Sequence, residues 1–449
     1  MQNTLPFSEL RRCGTLTPGD DGGCAPTPNL YRRHAGADRL AAEQLLVLAL
    51  TGAVIVRLFI SAAVLNSMYS YSDFGGTVVE KIHPGSYLLY LLFPLFLPRR
   101  FGTHVRRVVF ASSVLIGTVI AVGVASLLRG GATAAGFLID AVLIAPVTCL
   151  SILALSRRHR RLLAVTVLAG LAMNSAVVFA ELALQRHLLP YALVEEIFRP
   201  AGLFGHPLLS GLCSAAAIPF FFAVFRSRLV KWSGAVLMLA TCLACGARTA
   251  SAVGTATFLL SAFANGMHAR SKGRLDLTEL VLTAAMLLLC FPLLLALFLH
   301  SPTADRLAGG LAGDESIMSR ISVYEALHFV SPSEFLFGTD YNRAQAILLE
   351  GVKLRTVESA IVSSILTFGL VNTVPLGLGY TLFFMGLFRS SGWFARIGVV
   401  TFVIVSLSNN TLTTKSPALL FIAVLVAAAD EYARVNSRRN RFTDGLNHA

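Results

Sequence analysis

The sequence predicts an all-α membrane protein, a polytopic bundle of about twelve transmembrane helices with both termini cytoplasmic. Three observations carry that expectation. Apolar residues make up 55% of the 449 positions and charged residues 14%, and the mean hydropathy is +0.70; a soluble domain has about a quarter of its residues charged. Apolar runs of spanning length recur along the chain, and twelve spans of about 20 residues account for about half of it. Basic residues fall in short clusters between alternate runs, where a topology signal belongs. The same composition excludes a soluble enzyme, a disordered chain and a disulfide scaffold.

Residues 1–40 hold Arg11, Arg12, Arg32, Arg33 and Arg39 among Gly, Pro, Thr and Asp. No early apolar stretch leads to a small-residue cleavage site, so this segment reads as a disordered cytoplasmic tail before an uncleaved first helix. The apolar runs lie at 42–65, 84–98, 108–128, 134–155, 162–184, 208–225, 230–246, 249–266, 277–299, 360–388, 394–408 and 416–432. The second is short for one crossing and the tenth is long. Pro146, Pro219 and Pro292 sit inside runs, where membrane helices tolerate proline. The expected organisation is a tail (1–40), helices one to nine (41–299), a large outer loop (300–357), helices ten to twelve (358–432) and a basic tail (433–449).

Clusters such as Arg99/Arg100/Arg106/Arg107, Arg157/Arg158/Arg160/Arg161 and Arg434/Arg438/Arg439/Arg441 fall on the side of the N-terminal tail. That side collects about 25 of the 37 Lys and Arg, which makes it cytoplasmic. The net charge of +13 is therefore a topology signal spread over many loops, and no nucleic-acid partner is expected. Cys242 and Cys245 form a CxxC, but no second Cys or His pair stands near them to complete a zinc site.

The outer segments are then about 66–83, 129–133, 185–207, 247–248, 300–357 and 409–415. The stretch from His300 to Val357 is by far the longest, and it reads as partly helical, with Ile321, Tyr324 and His328 spaced three and four apart. Four outer places carry unusual chemistry: Arg199 with His206, Arg248 in a turn between two spans, Arg320, and Glu358 at the return to the membrane. Each also has a structural role open to it. An arginine at a helix end snorkels toward headgroups, His206 before Pro207 starts a helix, and Glu358 complements a helix N-terminus. Together they put cations and an acid on one face of one membrane, where the positive-inside rule disfavours arginine. Guanidinium groups bind phosphate oxygens in pairs and stay charged, so the set suits an anionic headgroup, above all a diphosphate. The cations would stabilise a diphosphate leaving group, and Glu358 would accept a proton from an attacking hydroxyl. No DxD, HxxxH or carboxylate cluster appears in these segments, so neither a metal nor another cofactor is expected.

These stretches resemble the O-antigen ligase and O-antigen polymerase superfamily of bacterial envelope proteins. Four features match in order: Arg199-x-x-Gly202-x-x-Gly205-His206-Pro207; Gly246-Ala-Arg248-Thr-Ala; Arg320 with Tyr324, then Pro332 and Leu336-Phe337-Gly338; and Glu358-Ser359, nine residues, then Gly369. By motif the resemblance covers about 190–390, and elsewhere it rests on topology. Ligases resemble the pattern His, then Asn/Ser/Gln, nine residues, then Gly; here Glu358 replaces that His and Asn372 ends the motif, so the ligase histidine has no counterpart. A carboxylate there favours a polysaccharide polymerase over a ligase. The resemblance implies a metal-independent glycosyltransferase of the bacterial inner membrane, with its active site facing the periplasm. It would join repeat units carried on undecaprenyl diphosphate, during exopolysaccharide, capsule or O-antigen biosynthesis. Arg199, Arg248 and Arg320 would hold the diphosphates. Glu358 or His206 would orient or deprotonate the acceptor hydroxyl, with Arg320 also at the catalytic centre. Its partners would be the lipid bilayer, the lipid-linked glycan, and a flippase with chain-length regulator or export proteins.

Arg57, Asp140 and Glu181 lie inside expected spans and in their outer halves, where both an Arg57–Asp140 ion pair joining helices and a substrate contact are open to them. The rival readings are a ligase that transfers glycan to another acceptor and a twelve-helix transporter or flippase. Transporters of that size show repeated halves with midplane sites, and no internal repeat is visible here.

Overall fold

The computed structural model describes residues 28–72, 77, 79–97, 101–102, 105–129, 132–191, 198–270, 322–352 and 359–429. The chain divides into two units, Met1–Leu46 and Val47–Ala449, and every described helix from Ala62 onward belongs to the second. The described residues contain helices and turns and no strand. The helices are α1 (Pro28–Phe59), α2 (Ala62–Asn66), α3 (Pro84–Leu92), α4 (Arg106–Leu128), α5 (Ala132–Phe137), α6 (Ile144–Leu153), α7 (Arg157–Leu184), α8 (Pro207–Val224), α9 (Arg228–Ala244), α10 (Arg248–Arg270), α11 (Pro332–Phe337), α12 (Tyr341–Ala346), α13 (Ala360–Phe368), α14 (Leu370–Ser390), α15 (Trp393–Leu407) and α16 (Ala418–Ala428). Among the described residues, six helical stretches are long and apolar enough to cross a membrane, by length and composition. They are Ala41–Phe59, Arg106–Leu128, Ala134–Leu153, Arg157–Leu184, Pro207–Val224 and Leu370–Ser390. The bundle is thus a helical membrane protein; the run at 277–299 lies outside the described residues.

Several expected boundaries move, each for a local reason. The tail expected to be disordered to residue 40 is helical from Pro28, because good helix formers such as Leu40, Ala41, Ala42 and Glu43 let the backbone continue past the apolar run. The run at 42–65 breaks after Phe59, where the Ser61 hydroxyl accepts the Val64 N–H and caps α2. A π-helical stretch, Leu138–Leu143, joins α5 to α6. The long tenth run is two helices, α13 and α14, separated at Gly369.

Small residues let these helices touch. With lipid outside there is no hydrophobic force between spans, and close packing supplies the attraction. Helix α8 is buried at nearly every position and packs on α9, α10 and α15. Gly211 lies against Ala247 and Ala250, and Gly398 of α15 lies against Phe220. Helix α16, buried along its whole length, packs on α6, α7 and α8. Helix α14 crosses α4, with Gly386 against Ala111.

Residues 322–352 form short helices joined by turns. Val323, Ala326, Ile347 and Leu348 form one core with Val362 and Leu366 of α13. The expected apolar spacing at Tyr324 and His328 does not face this core, since both are exposed. The turn Glu325–Phe329 is 3-10, and within it Ala326 is the residue that reaches the core.

Gly369 has φ +74°, and a Cβ there would overlap the Phe337 carbonyl carbon and the Gly338 nitrogen. Gly369→Ala is therefore expected to destabilise the protein by about 2 kcal/mol or more, read as a lower Tm in detergent. Gly377→Ala, on open helix surface, should leave Tm unchanged or raise it slightly.

Candidate functional site

The loop from Arg199 to His206 is shaped by α7. Near that helix's end Glu181 is buried, and its Oε2 accepts the N–H groups of Ala201 (2.7 Å) and Gly202 (2.9 Å). Its Oε1 accepts the Leu188 N–H at 3.0 Å. Earlier on the same helix, Asn174 Oδ1 accepts the Leu203 N–H at 2.8 Å. Gly202 and Gly205 both have positive φ, +64° and +66°, and complete the bend. Arg199 is nearly enclosed, and its Nε donates to the Cys245 carbonyl at 3.3 Å. That carbonyl belongs to the turn that leads through Gly246 into Arg248, the first residue of α10. The first two resembling stretches therefore meet, with half-buried Arg248 the more open of the two arginines.

His206 caps α8: its Nδ1 accepts the Leu208 N–H at 3.2 Å. Burial and the nearby Arg199 guanidinium lower its pKa to about 4, so the ring is neutral at pH 7. With the Nδ1 lone pair held by the backbone, the neutral ring carries its proton on Nε2 and can only donate there. A role as base is thus less suited to His206 than a role as hydrogen-bond donor. Arg320 and Glu358 lie outside the described residues. Ser359, next to Glu358, caps α13 by accepting the Val362 N–H at 3.4 Å. The third and fourth resembling stretches also meet: Phe337–Gly338 passes across Gly369, and Thr339 N–H donates to the Leu366 carbonyl at 2.7 Å. Arg129, at the end of α4, donates to the Phe337 carbonyl and stacks over the Phe337 ring.

A second polar centre, only partly expected from the sequence, surrounds Asp140. This residue sits in the π-helical stretch, a geometry frequent at functional sites. Arg57 and Asp140 form the expected ion pair, Nη2 to Oδ2 at 3.3 Å, and both side chains are fully buried. Arg57 Nε donates to Ser86 Oγ at 2.9 Å, and Ser86 Oγ donates to Asp140 Oδ1 at 2.6 Å. Oδ1 also accepts the His83 N–H at 3.0 Å, and the Tyr71 hydroxyl donates to Oδ2.

Two lysines adjoin this network. Lys81, buried, donates to the Ser70 carbonyl at 2.5 Å. Lys415 donates to the carbonyls of Tyr71 (2.7 Å) and Lys81 (3.0 Å) and lies over the Tyr71 ring, 4.8 Å from its centre. Burial, with Lys81 and Arg57 nearby, lowers the Lys415 pKa to about 8 against the opposing pull of Asp140. His83 caps α3 as His206 caps α8: Nδ1 accepts the Gly85 N–H at 2.9 Å, and Nε2 donates to the Ile60 carbonyl at 3.1 Å. Its pKa also falls to about 4, through burial and Arg57. The signal in the sequence that could have pointed to His83 is the dipeptide His83-Pro84, which repeats His206-Pro207 and likewise starts a helix.

The two centres are neighbours. His83 holds the Ile60 carbonyl, and Ser61 lies directly against Gly205, beside His206. Phe59 packs on Phe204, with ring centres 5.5 Å apart. On the other flank Phe137, three residues before Asp140, packs on Phe368, with ring centres 6.1 Å apart. One continuous band thus runs from Gly338 and Gly369 through Asp140 and Ser61 to His206, Arg199 and the Arg248 turn. Arg57, Lys81, Arg129, Arg199, Arg248 and Lys415 lie along it, with the acids Asp140 and Glu181. Among the described residues no three His, Cys, Asp or Glu gather as a metal site requires. No protein-family model matches the sequence, and no curated protein does.

Removing Asp140's charge would leave Arg57 buried without its counter-ion. Asp140→Asn is expected to cost about 3–5 kcal/mol, seen as a large fall in Tm. The double variant Asp140→Leu/Arg57→Met should lose less than the sum of its single changes.

Proposed function

We propose that this chain is a polysaccharide polymerase of the bacterial inner membrane, with about twelve spans, cytoplasmic termini and its active centre facing the periplasm. It joins repeat units carried on undecaprenyl diphosphate, for exopolysaccharide, capsule or O-antigen. The observation that carries this reading is that the resembling stretches, far apart in sequence, adjoin in pairs: Arg199 meets the Cys245–Arg248 turn, and Phe337–Gly338 passes across Gly369.

In the reaction an acceptor hydroxyl attacks the anomeric carbon of the donor sugar. A new C–O glycosidic bond forms, the bond to the diphosphate oxygen breaks, and the lipid diphosphate leaves with the electron pair. Arg248 bears on that growing charge, and Arg199 positions the turn that carries it through the Cys245 carbonyl. His206, neutral and donating from Nε2, orients a sugar or phosphate oxygen. Glu358 takes the acceptor's proton and Arg320 adds a further cation, in the roles the resemblance implies.

The test is chain elongation by purified, reconstituted protein given short lipid-linked glycans. Products should lengthen; movement of lipid-linked glycan across the bilayer with no change in length would make the protein a transporter instead, and transfer to an acceptor other than a lipid-linked repeat would make it a ligase. Arg248→Ala should lower the elongation rate by about a hundredfold or more at normal membrane abundance. Glu358→Gln should lose about a hundredfold or more while Glu358→Asp retains part of the rate, which separates charge from shape.

A further inference from the structure

Helices α14 and α15 turn back on one another at Ser391 and Gly392, and a groove of about 390 Å³ lies between them. Phe384 and Phe388 of α14 and Val400, Val403 and Ile404 of α15 line it, and Arg389 is the one charged residue among its lining. Phe384 is held against Phe402 of α15, with ring centres 5.8 Å apart, so packing fixes the floor. Met385, Phe388, Val400 and Ile404 stay exposed, which leaves the trough open on its outer side. The turn end has the composition of a membrane interface: exposed Trp393 begins α15, with Arg389 and Arg396 on either side of it in sequence. Gly369, in the band described above, stands at the other end of α14, about 30 Å away at 1.5 Å per residue. This groove is therefore remote from the candidate site.

The two arginines are held differently. Arg396 is half-buried; its Nε donates to the Phe388 carbonyl at 3.1 Å, and its guanidinium lies over the Phe388 ring, 5.5 Å from the centre. The Ser391 hydroxyl donates to the Leu387 carbonyl. These carbonyls in the last turn of α14 thus have donors without Arg389. Among the described residues the exposed Arg389 makes no hydrogen bond or ion pair. An arginine that served only to cap this helix would bond its last carbonyls, whereas Arg389 lines the groove.

We propose that the α14–α15 groove binds an anionic phospholipid of the membrane, with its phosphate on Arg389 and Arg396 and part of one acyl chain between Phe388 and Ile404. Guanidinium groups meet phosphate oxygens in pairs, and basic pockets between membrane helices take anionic lipid headgroups. A choline or ethanolamine headgroup would set a further cation beside the two arginines, and a glycerol headgroup adds none. A second copy of the chain fits less well. A two-fold axis along the membrane normal would bring the same cations of both copies to one level. None of this depends on the polymerase reading.

The experiment is photo-crosslinking of the full-length protein in phosphatidylcholine nanodiscs, with labelled peptides read by mass spectrometry. Two trace phospholipid probes carry the same diazirine-bearing acyl chain, one under a glycerol headgroup and one under choline. The glycerol probe should label Met385–Arg389 and Val400–Ile404 about fivefold more than the choline probe. Arg389→Gln should abolish that excess at unchanged Tm, and Arg389→Lys should keep part of it. Equal labelling by the two probes overturns the site and leaves Arg389 a residue that only reaches for the headgroup layer. An excess that survives in the Gln variant also overturns it. So does a dimer in the same discs that shields these residues from both probes, because a second copy then fills the groove. Failure of glycan elongation leaves this lipid site standing, and failure of the lipid site leaves elongation standing.

Discussion

The Asp140 carboxylate is the contact on which this end of the bundle depends. It joins Arg57 near the end of α1, Tyr71 and His83 in the following segment, and Ser86 in the first turn of α3. Both of its oxygens are occupied, so its charge is met on every side by a donor. In an enclosed site an unmet carboxylate would cost several kcal/mol, and so would an unmet guanidinium. Because either ion is costly alone, the elements that carry them are held together. The π-helical stretch matters here: the extra residue in that turn sets where Asp140 falls on the helix face. From this fixed point His83 reaches the Ile60 carbonyl, and so locates the turn against which the Gly205–His206 loop rests.

Both caps in this region use one device. A histidine just before a proline offers Nδ1 to the N–H two residues on and enters its helix with an extended backbone. Burial and a nearby arginine keep each ring neutral. A serine or aspartate would cap equally well. Imidazole differs in carrying a second nitrogen, which projects a donor away from the helix. At His83 that donor is spent on the Ile60 carbonyl, a structural tie. At His206 the ring is half-buried beside Arg199, which places a neutral donor next to a fixed cation.

The features legible in the sequence are those whose forces leave a pattern in it. Apolar runs reveal helices because burial and lipid exposure both select the same residues, so the α4, α7, α8 and α14 regions were legible. Breaks inside runs were not. Ser61 and Gly369 interrupt stretches whose hydropathy continues without a change, and the reasons are a side-chain cap and a positive φ, which a hydropathy profile does not register. The Arg57–Asp140 pair was legible because ionisable residues in spans are rare and both fell at similar depth. Lys81 and Lys415 were not, since a lysine in a loop carries no mark of burial until the loops are folded together. Tyr324 and His328 misled because a spacing of three and four presumes an α-helix, and the backbone there is 3-10.

The balance of charge along the band has its own logic. With every cation neutralised by a partner there would be no field to attract an anion, and with no acid at all the cations would push the loops apart. One buried carboxylate beside Arg57 and Lys415 anchors that part of the scaffold. Glu181 does comparable work beside Arg199, but its hydrogen bonds go to backbone N–H groups, so it shapes the loop without forming an ion pair with that arginine in the same way. Cations already fixed in this manner need little rearrangement when an anion arrives, and in a site partly shielded from water their attraction is weakened less by solvent. Cations held in place in this way are what the proposed capture of a charged headgroup, with its apolar tail in the membrane, would use.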